Sequence, residues 1–182
     1  MRQALILIDL QCASFRDKRH DAEGLVVRLN GLAARVRAAG GPVIFVEHDG
    51  PSGDPHHPDQ PGWGLLPELH VAGGDLKIRK TSCDAFLGTS LESVLDAASI
   101  RDLIITGCAT DYCVDTTVRS ALAKGYRTSV PKDGHTTADR PHLSALQIIE
   151  HHNAIWSDFL SPAGPATICA CEDLPGGQPA QT

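Results

Sequence analysis

Apolar residues along this chain fall into two alternating rhythms. Residues 4–10 (ALILIDL) form a continuous apolar run broken only by Asp9, the pattern of a central parallel strand covered on both faces. Over residues 22–39 the apolar positions Leu25, Val26, Leu29, Leu32, Ala33 and Val36 recur at helical spacing, and Gly40-Gly41 supplies a stop. Residues 42–48 (PVIFVEH) return to strand character. Residues 49–74 have no periodicity and are crowded with Pro, Gly, His and Asp, which predicts a long loop suited to a lid or binding segment. The pattern then predicts a third strand over 75–80 and a helix through Ala98 opened by a Thr89-Ser90-Leu91-Glu92 capping box. A fourth strand (102–107), a helix (113–124, ended by Gly125) and a fifth strand (126–131) follow. Pro141 predicts the first turn of a helix running to His152, and residues 154–159 a sixth short strand. Beyond Leu160 the chain is rich in Pro, Gly and Ala, so a single domain is expected over 1–160 with a loosely held tail over 161–182.

Strands that alternate with helices imply an α/β fold, a parallel sheet with right-handed crossovers and helices on both faces. In such sheets ligands bind beyond the carboxyl ends of the strands, where strand order reverses. Asp9 lies near the end of the first strand, Lys80 ends the third, and Cys113 lies in the turn after the fourth. All three are therefore expected in one crevice. No G-x-G-x-x-G or G-x-x-x-x-G-K-[ST] pattern occurs in these turns, which argues against dinucleotide and P-loop chemistry.

Composition narrows the classes further. A chain of 182 residues that is 42% hydrophobic can bury one good core. Its net charge of -6 is scattered, with no basic block to track a nucleic acid or an anionic membrane, so neither is an expected partner. The amino-terminal apolar run is too short to span a bilayer and reads as a strand. Without an export signal, the six cysteines read as reduced thiols of a cytoplasmic protein.

Cys113 stands at an expected helix start, where free amides and the macrodipole favour a thiolate. A free cysteine is also commonly just a small buried apolar residue. Asp9 ends an apolar strand, so it must be hydrogen-bonded, paired or functional, because burying a lone carboxylate is too costly. Lys80 read alone is a solvated strand-end lysine. Beside Asp9 and Cys113 it becomes a cation that holds the acid and balances a thiolate. Phe15, Trp63, Tyr112 and His135 lie in loops expected to border the crevice, as substrate-binding residues or simply as packing.

Three stretches, ALILIDLQ around Asp9, IRKTSCDAFLGTSLESVL around Lys80 and ITGCATDYCVDTTVRSALAKGYRTSVPKDGHTT around Cys113, resemble the signature blocks of isochorismatase-like cysteine hydrolases. The resemblance covers residues 4–159. It implies a three-layer α-β-α Rossmann-like sandwich with a six-stranded, mostly parallel sheet, and a homo-oligomer, dimer or tetramer. It also implies a cis Cys108-Ala109 peptide at an oxyanion site, with Cys113 as nucleophile, Asp9 as base and Lys80 as third member. Because Cys113 is present, hydrolysis of a carbon-nitrogen bond in a small molecule is favoured over the vinyl-ether cleavage of true isochorismatases. A non-catalytic binder and a thiol redox protein are more distant readings, the latter weakened by the lack of a C-x-x-C pair at Cys113. Asp54, His56 and His57 echo the metal site of related nicotinamidases only superficially, so no metal or other cofactor is expected.

Overall fold

The computed structural model describes residues 2–174. Its elements run β1 (Gln3–Ile8), α1 (Ala22–Ala38), β2 (Val43–His48), β3 (Leu76–Lys80), α2 (Leu91–Ala97) and β4 (Asp102–Cys108). They continue with α3 (Asp115–Ala123), β5 (Arg127–Pro131), β6 (His135–Thr136), α4 (Ala145–Ser157) and β7 (Thr167–Cys169). Among the described residues the sheet is parallel and seven-stranded, in the order β3-β2-β1-β4-β5-β7, with β6 paired to the end of β4. No helix among the described residues is long and apolar enough to cross a membrane.

The central strand shows why the sheet carries helices on both faces. Successive side chains of a strand point to opposite faces. Ala4, Ile6 and Ile8 of β1 pack with Leu91 and Leu95 of α2, Val118 and Leu122 of α3 and Trp156 of α4. Leu5 and Leu7 pack with Leu25, Leu29, Leu32 and Val36 of α1. A strand apolar at every position thus fills both cores, giving the expected α-β-α layering. Strand order reverses between β1 and β4, where Leu5 is in register with Val43 on one side and Ile104 on the other.

The structure corrects several local expectations. The helix at 91 opens without the reciprocal Thr-Glu box: Thr89 Oγ1 accepts from Leu91 N at 3.1 Å, while Glu92 instead pairs with Lys124. The reciprocal box belongs to Ser144 and Gln147, so α4 starts three residues beyond the turn holding Pro141. That helix runs on to Ser157, because Ile148, Ile149 and Trp156 share its buried face. Residues 154–157 of the strand expected over 154–159 are therefore its last turn. The place beside β5 is taken by β7, which lies in the stretch read as a loose tail. This stretch is held as far as Leu174: Arg35 donates to the carbonyls of Leu174 at 2.7 Å and of Cys171, and Cys171 is buried. The remainder of that tail, 175–182, lies outside the described residues.

Gly107 shows how closely β1 and β4 approach at the switch point. Its φ is +125°, and a Cβ added there would stand 2.2 Å from the Ile8 carbonyl oxygen. Replacing it combines a forbidden backbone angle with a backbone clash. Gly107→Ala is expected to lower stability by at least about 2 kcal/mol in urea unfolding. A loss under about 0.5 kcal/mol, typical of neutral surface changes, would show that the strands part easily here.

Candidate functional site

The chain leaves β1 by a left-handed turn: Asp9 has φ 50°, and its backbone N–H donates to Val46 O at 2.9 Å. Such an angle in a residue other than glycine is tolerated best by Asp and Asn. Lys80 must come from β3, two strands away, a lateral gap of roughly 9 to 10 Å. Its four-carbon stem covers that gap across the end of β2. Lys80 Nζ reaches Asp9 Oδ2 at 2.9 Å, the Ser82 carbonyl at 2.9 Å, Cys113 Sγ at 3.3 Å and His48 Nδ1 at 3.4 Å. Asp9 is 5% exposed and Lys80 2%, so the ion pair is shut away from water. Burial acts to lower the lysine pKa, but Asp9 and Cys113 outweigh it and the ammonium is held above its ordinary value. Asp9 Oδ1 is different: it is buried and has no hydrogen-bond partner.

Cys113 sits in a single π turn, Thr110–Val114, just ahead of α3. Short π segments of this kind recur at functional sites. The cis Cys108-Ala109 peptide expected from the resemblance is present immediately before it. The state of the thiol differs from the sequence expectation. Burial pushes the Cys113 thiol up, Asp9 pushes in the same direction, and Lys80 only partly opposes them. The helix start does not win here, since a thiolate would add a second negative charge to a poorly solvated space already holding a carboxylate. Cys113 therefore rests as a thiol beside the Asp9 carboxylate, which helps to hold the proton on sulfur. Cys108 is buried, its thiol pushed up to about 12, mainly by burial.

The other expected residues divide. Trp63 is fixed at the site's edge: its Nε1 donates to Asp49 at 2.9 Å, its carbonyl accepts from Gln11 at 2.7 Å, and Arg79 lies over its ring. Phe15 packs partly into the core against α1. Tyr112 is 55% exposed, with the Arg140 guanidinium over its ring. His135 is not free for a ligand. It is buried, its Nδ1 on Thr110 Oγ1 at 2.9 Å and its Nε2 facing Asn153 Oδ1 at 3.1 Å. It packs beneath the turn that carries Cys113.

Asp54 and His56 meet, but both imidazole nitrogens are committed. Nδ1 faces Asp54 at 3.1 Å and Nε2 faces Ser14 Oγ at 3.0 Å, tying the 49–63 loop to the turn after β1. His57 Nδ1 accepts from Asp59 N at 3.2 Å. This donor set is spent on the loop and does not fit a metal site, and among the described residues no cluster of three or more His, Cys, Asp or Glu is arranged to hold an ion. A hollow of about 350 Å³ lined by Arg16, Gly53, Pro55, Gln60, Pro61 and Gly62 opens on the same loop, and none of the three central residues lines it.

Two residues escaped the sequence reading. Gln11, fully buried, donates to the carbonyls of His48 at 3.1 Å and Trp63 at 2.7 Å and accepts from His48 N at 2.8 Å, joining β1, β2 and the loop. His48 faces Lys80. The strand-end rule that singled out Asp9 and Lys80 applies equally to His48, the last residue of the second strand.

The isochorismatase domain model matches residues 3–158. A streptothricin hydrolase of Streptomyces noursei is 37% identical over 141 residues, covering 76% of this chain and 51% of that protein. A ureidoacrylate amidohydrolase of Pseudomonas savastanoi pv. phaseolicola is 31% identical over 131 residues, covering 56% of this chain and 54% of that protein. The chain thus spans about half the length of both. A crystal structure of an isochorismatase family protein superposes with a TM-score of 0.84 at 32% identity, covering 93% of this chain and 98% of that one.

Burial of His135 has a measurable consequence. It lowers the imidazole pKa to about 4, so the folded protein holds this ring neutral where the unfolded chain, at about 6.5, takes up a proton. The stability it contributes is full above pH 6.5 and is lost as pH falls through 4, by up to about 3 kcal/mol. Urea unfolding between these pH values should show that loss in the native protein and a clearly flatter profile in His135→Gln. Equal slopes would mean that His135 protonates freely in the folded state.

Proposed function

The chain belongs to the isochorismatase family, and from that premise we propose that it is a hydrolase cleaving a carbon-nitrogen bond of a small molecule through a Cys113 thioester. The observation that carries this reading is the divided Asp9 carboxylate: Oδ2 is bound by Lys80, while Oδ1 is buried without a partner. A buried acceptor oxygen without a partner beside the thiol is placed to receive its proton as the sulfur attacks.

In the proposed reaction Asp9 Oδ1 accepts the Cys113 proton as the sulfur attacks the carbonyl carbon. Lys80 offsets the charge that moves onto sulfur, and the backbone amides of Ala109 and Cys113 receive the developing oxyanion. Asp9 then returns the proton to the departing nitrogen, and the carbon-nitrogen bond breaks to leave the thioester. Water fills the space left by the amine, loses a proton to Asp9 and attacks the thioester, after which the sulfur is reprotonated. The mechanism uses no metal. The naming of one relative as an amidohydrolase supports an amide-type bond over an ether.

The test is intact-mass analysis after rapid acid quench with a panel of small amides, ureas and lactams, alongside turnover. Native protein should accumulate an acyl adduct on Cys113 with at least one substrate. Asp9→Asn should lower turnover by about 10² to 10⁴-fold, the usual worth of a positioned base. Cys113→Ala should form no adduct. The double variant should be little worse than either single one, because the residues act as a unit. Folded Cys113→Ala with near-native turnover would remove covalent catalysis and move vinyl-ether cleavage ahead.

A further inference from the structure

Lys80 also determines the proton pattern of a neighbour that the reaction above does not use. Its Nζ stands 3.4 Å from Nδ1 of His48, the last residue of β2. An ammonium group only donates. Nδ1 therefore meets it as an acceptor lone pair, since a proton on Nδ1 would be aimed at a cation. In the uncharged ring the one proton must then sit on Nε2. The ring is held uncharged chiefly by burial and next by Lys80, with His56 adding slightly and Asp9 and Asp54 opposing; together they lower its pKa.

Among the described residues the Nε2–H donor meets no acceptor. The ring also meets His56 edge to face at 5.7 Å, and the bonds to Gln11 come from the His48 main chain. Asp9 Oδ1 is the side-chain nitrogen or oxygen found both buried and unpartnered among the described residues, so His48 Nε2 is not sealed in. The ring stands one contact from Lys80, which is itself 3.3 Å from Cys113 Sγ. The donor thus belongs to a ring that adjoins the lysine of the site.

We propose that His48 is a substrate-binding residue, fixed by Lys80 as the Nε2–H tautomer, whose N–H donates to an uncharged acceptor oxygen on the substrate, such as that of an amide or carbamoyl group. A cationic group at this place would meet a donor and Lys80 together and be rejected. The substrate class rests on the carbon-nitrogen reading; the tautomer and the donor do not.

The experiment has two arms that need no turnover. Nitrogen-15 spectra of the imidazoles at neutral pH, assigned with His48→Ala, should show Nδ1 unprotonated and Nε2 protonated. In the second arm, Cys113 alkylation is followed by peptide mass with iodoacetamide, which carries an acceptor oxygen, and with iodoethane, which carries none. His48→Ala should slow the iodoacetamide reaction about tenfold and His48→Gln, which keeps an N–H donor, should recover it to within about threefold. The iodoethane reaction should stay within about threefold throughout. An Nδ1–H tautomer, an unchanged iodoacetamide rate, or equal slowing with both reagents would overturn the proposal. If His48 behaves as expected while the native protein cleaves no amide, the donor role stands and the carbon-nitrogen reading falls.

Discussion

A lysine and an aspartate that touch at 2.9 Å, both almost wholly buried, form the constraint on which the rest of this site depends. Neither charge survives there alone: removing one partner from a buried pair typically costs about 3 to 5 kcal/mol. The pair is also unequal. Lys80 distributes its protons over Asp9, Ser82, His48 and Cys113, whereas Asp9 keeps one oxygen empty. Facing more acceptors than its three protons can serve, the cation turns an acceptor atom of each neighbour toward itself, and through its unpartnered oxygen the acid retains a place for a proton. The same contact ties β3 to β1 across the end of β2, so holding the sheet together and setting the local charge are one interaction.

Around this pair the backbone is arranged to hold few positions in place. Gln11 bonds both β2 and the Trp63 loop, and Asp49 receives Trp63 and Arg79 while its backbone N–H donates to Lys80 O at 2.8 Å. His56 and Ser14 close the other side of the same loop. A stretch of sequence without periodicity is thereby given a defined shape by a small number of buried or half-buried polar bonds. Groups that must hold a substrate are better placed on such a braced loop than on a free one.

Much of this was legible in the sequence because it follows from topology. Continuous apolar strands separated by helical patterns specify a parallel sheet, and the strand-end rule then brings Asp9, Lys80 and Cys113 to one crevice, as it does His48; the resemblance singled out the first three. What failed was local or depended on neighbours distant in sequence. The residues 154–159 alternate enough to pass for a strand, yet Trp156 completes the buried face of α4 begun by Ile148. The three-residue β7 carries too little pattern to be seen before β5 offers it a partner. His135 has the chemistry of a ligand but is spent on Thr110 and Asn153. For Cys113 the helix start, which favours a thiolate, is visible in sequence, while the burial that pushes its thiol up is not.

The central claim is that Cys113 rests as a thiol and gives its proton to Asp9 only as it attacks. Its most direct test is the ultraviolet absorbance of the thiolate, taken as the difference between native protein and Cys113→Ala across a pH titration. The account predicts no difference signal at neutral pH. It also predicts that Asp9→Asn, which removes a negative charge from beside the sulfur, moves the appearance of the thiolate to lower pH. A full thiolate signal from Cys113 at neutral pH in the native protein would contradict it.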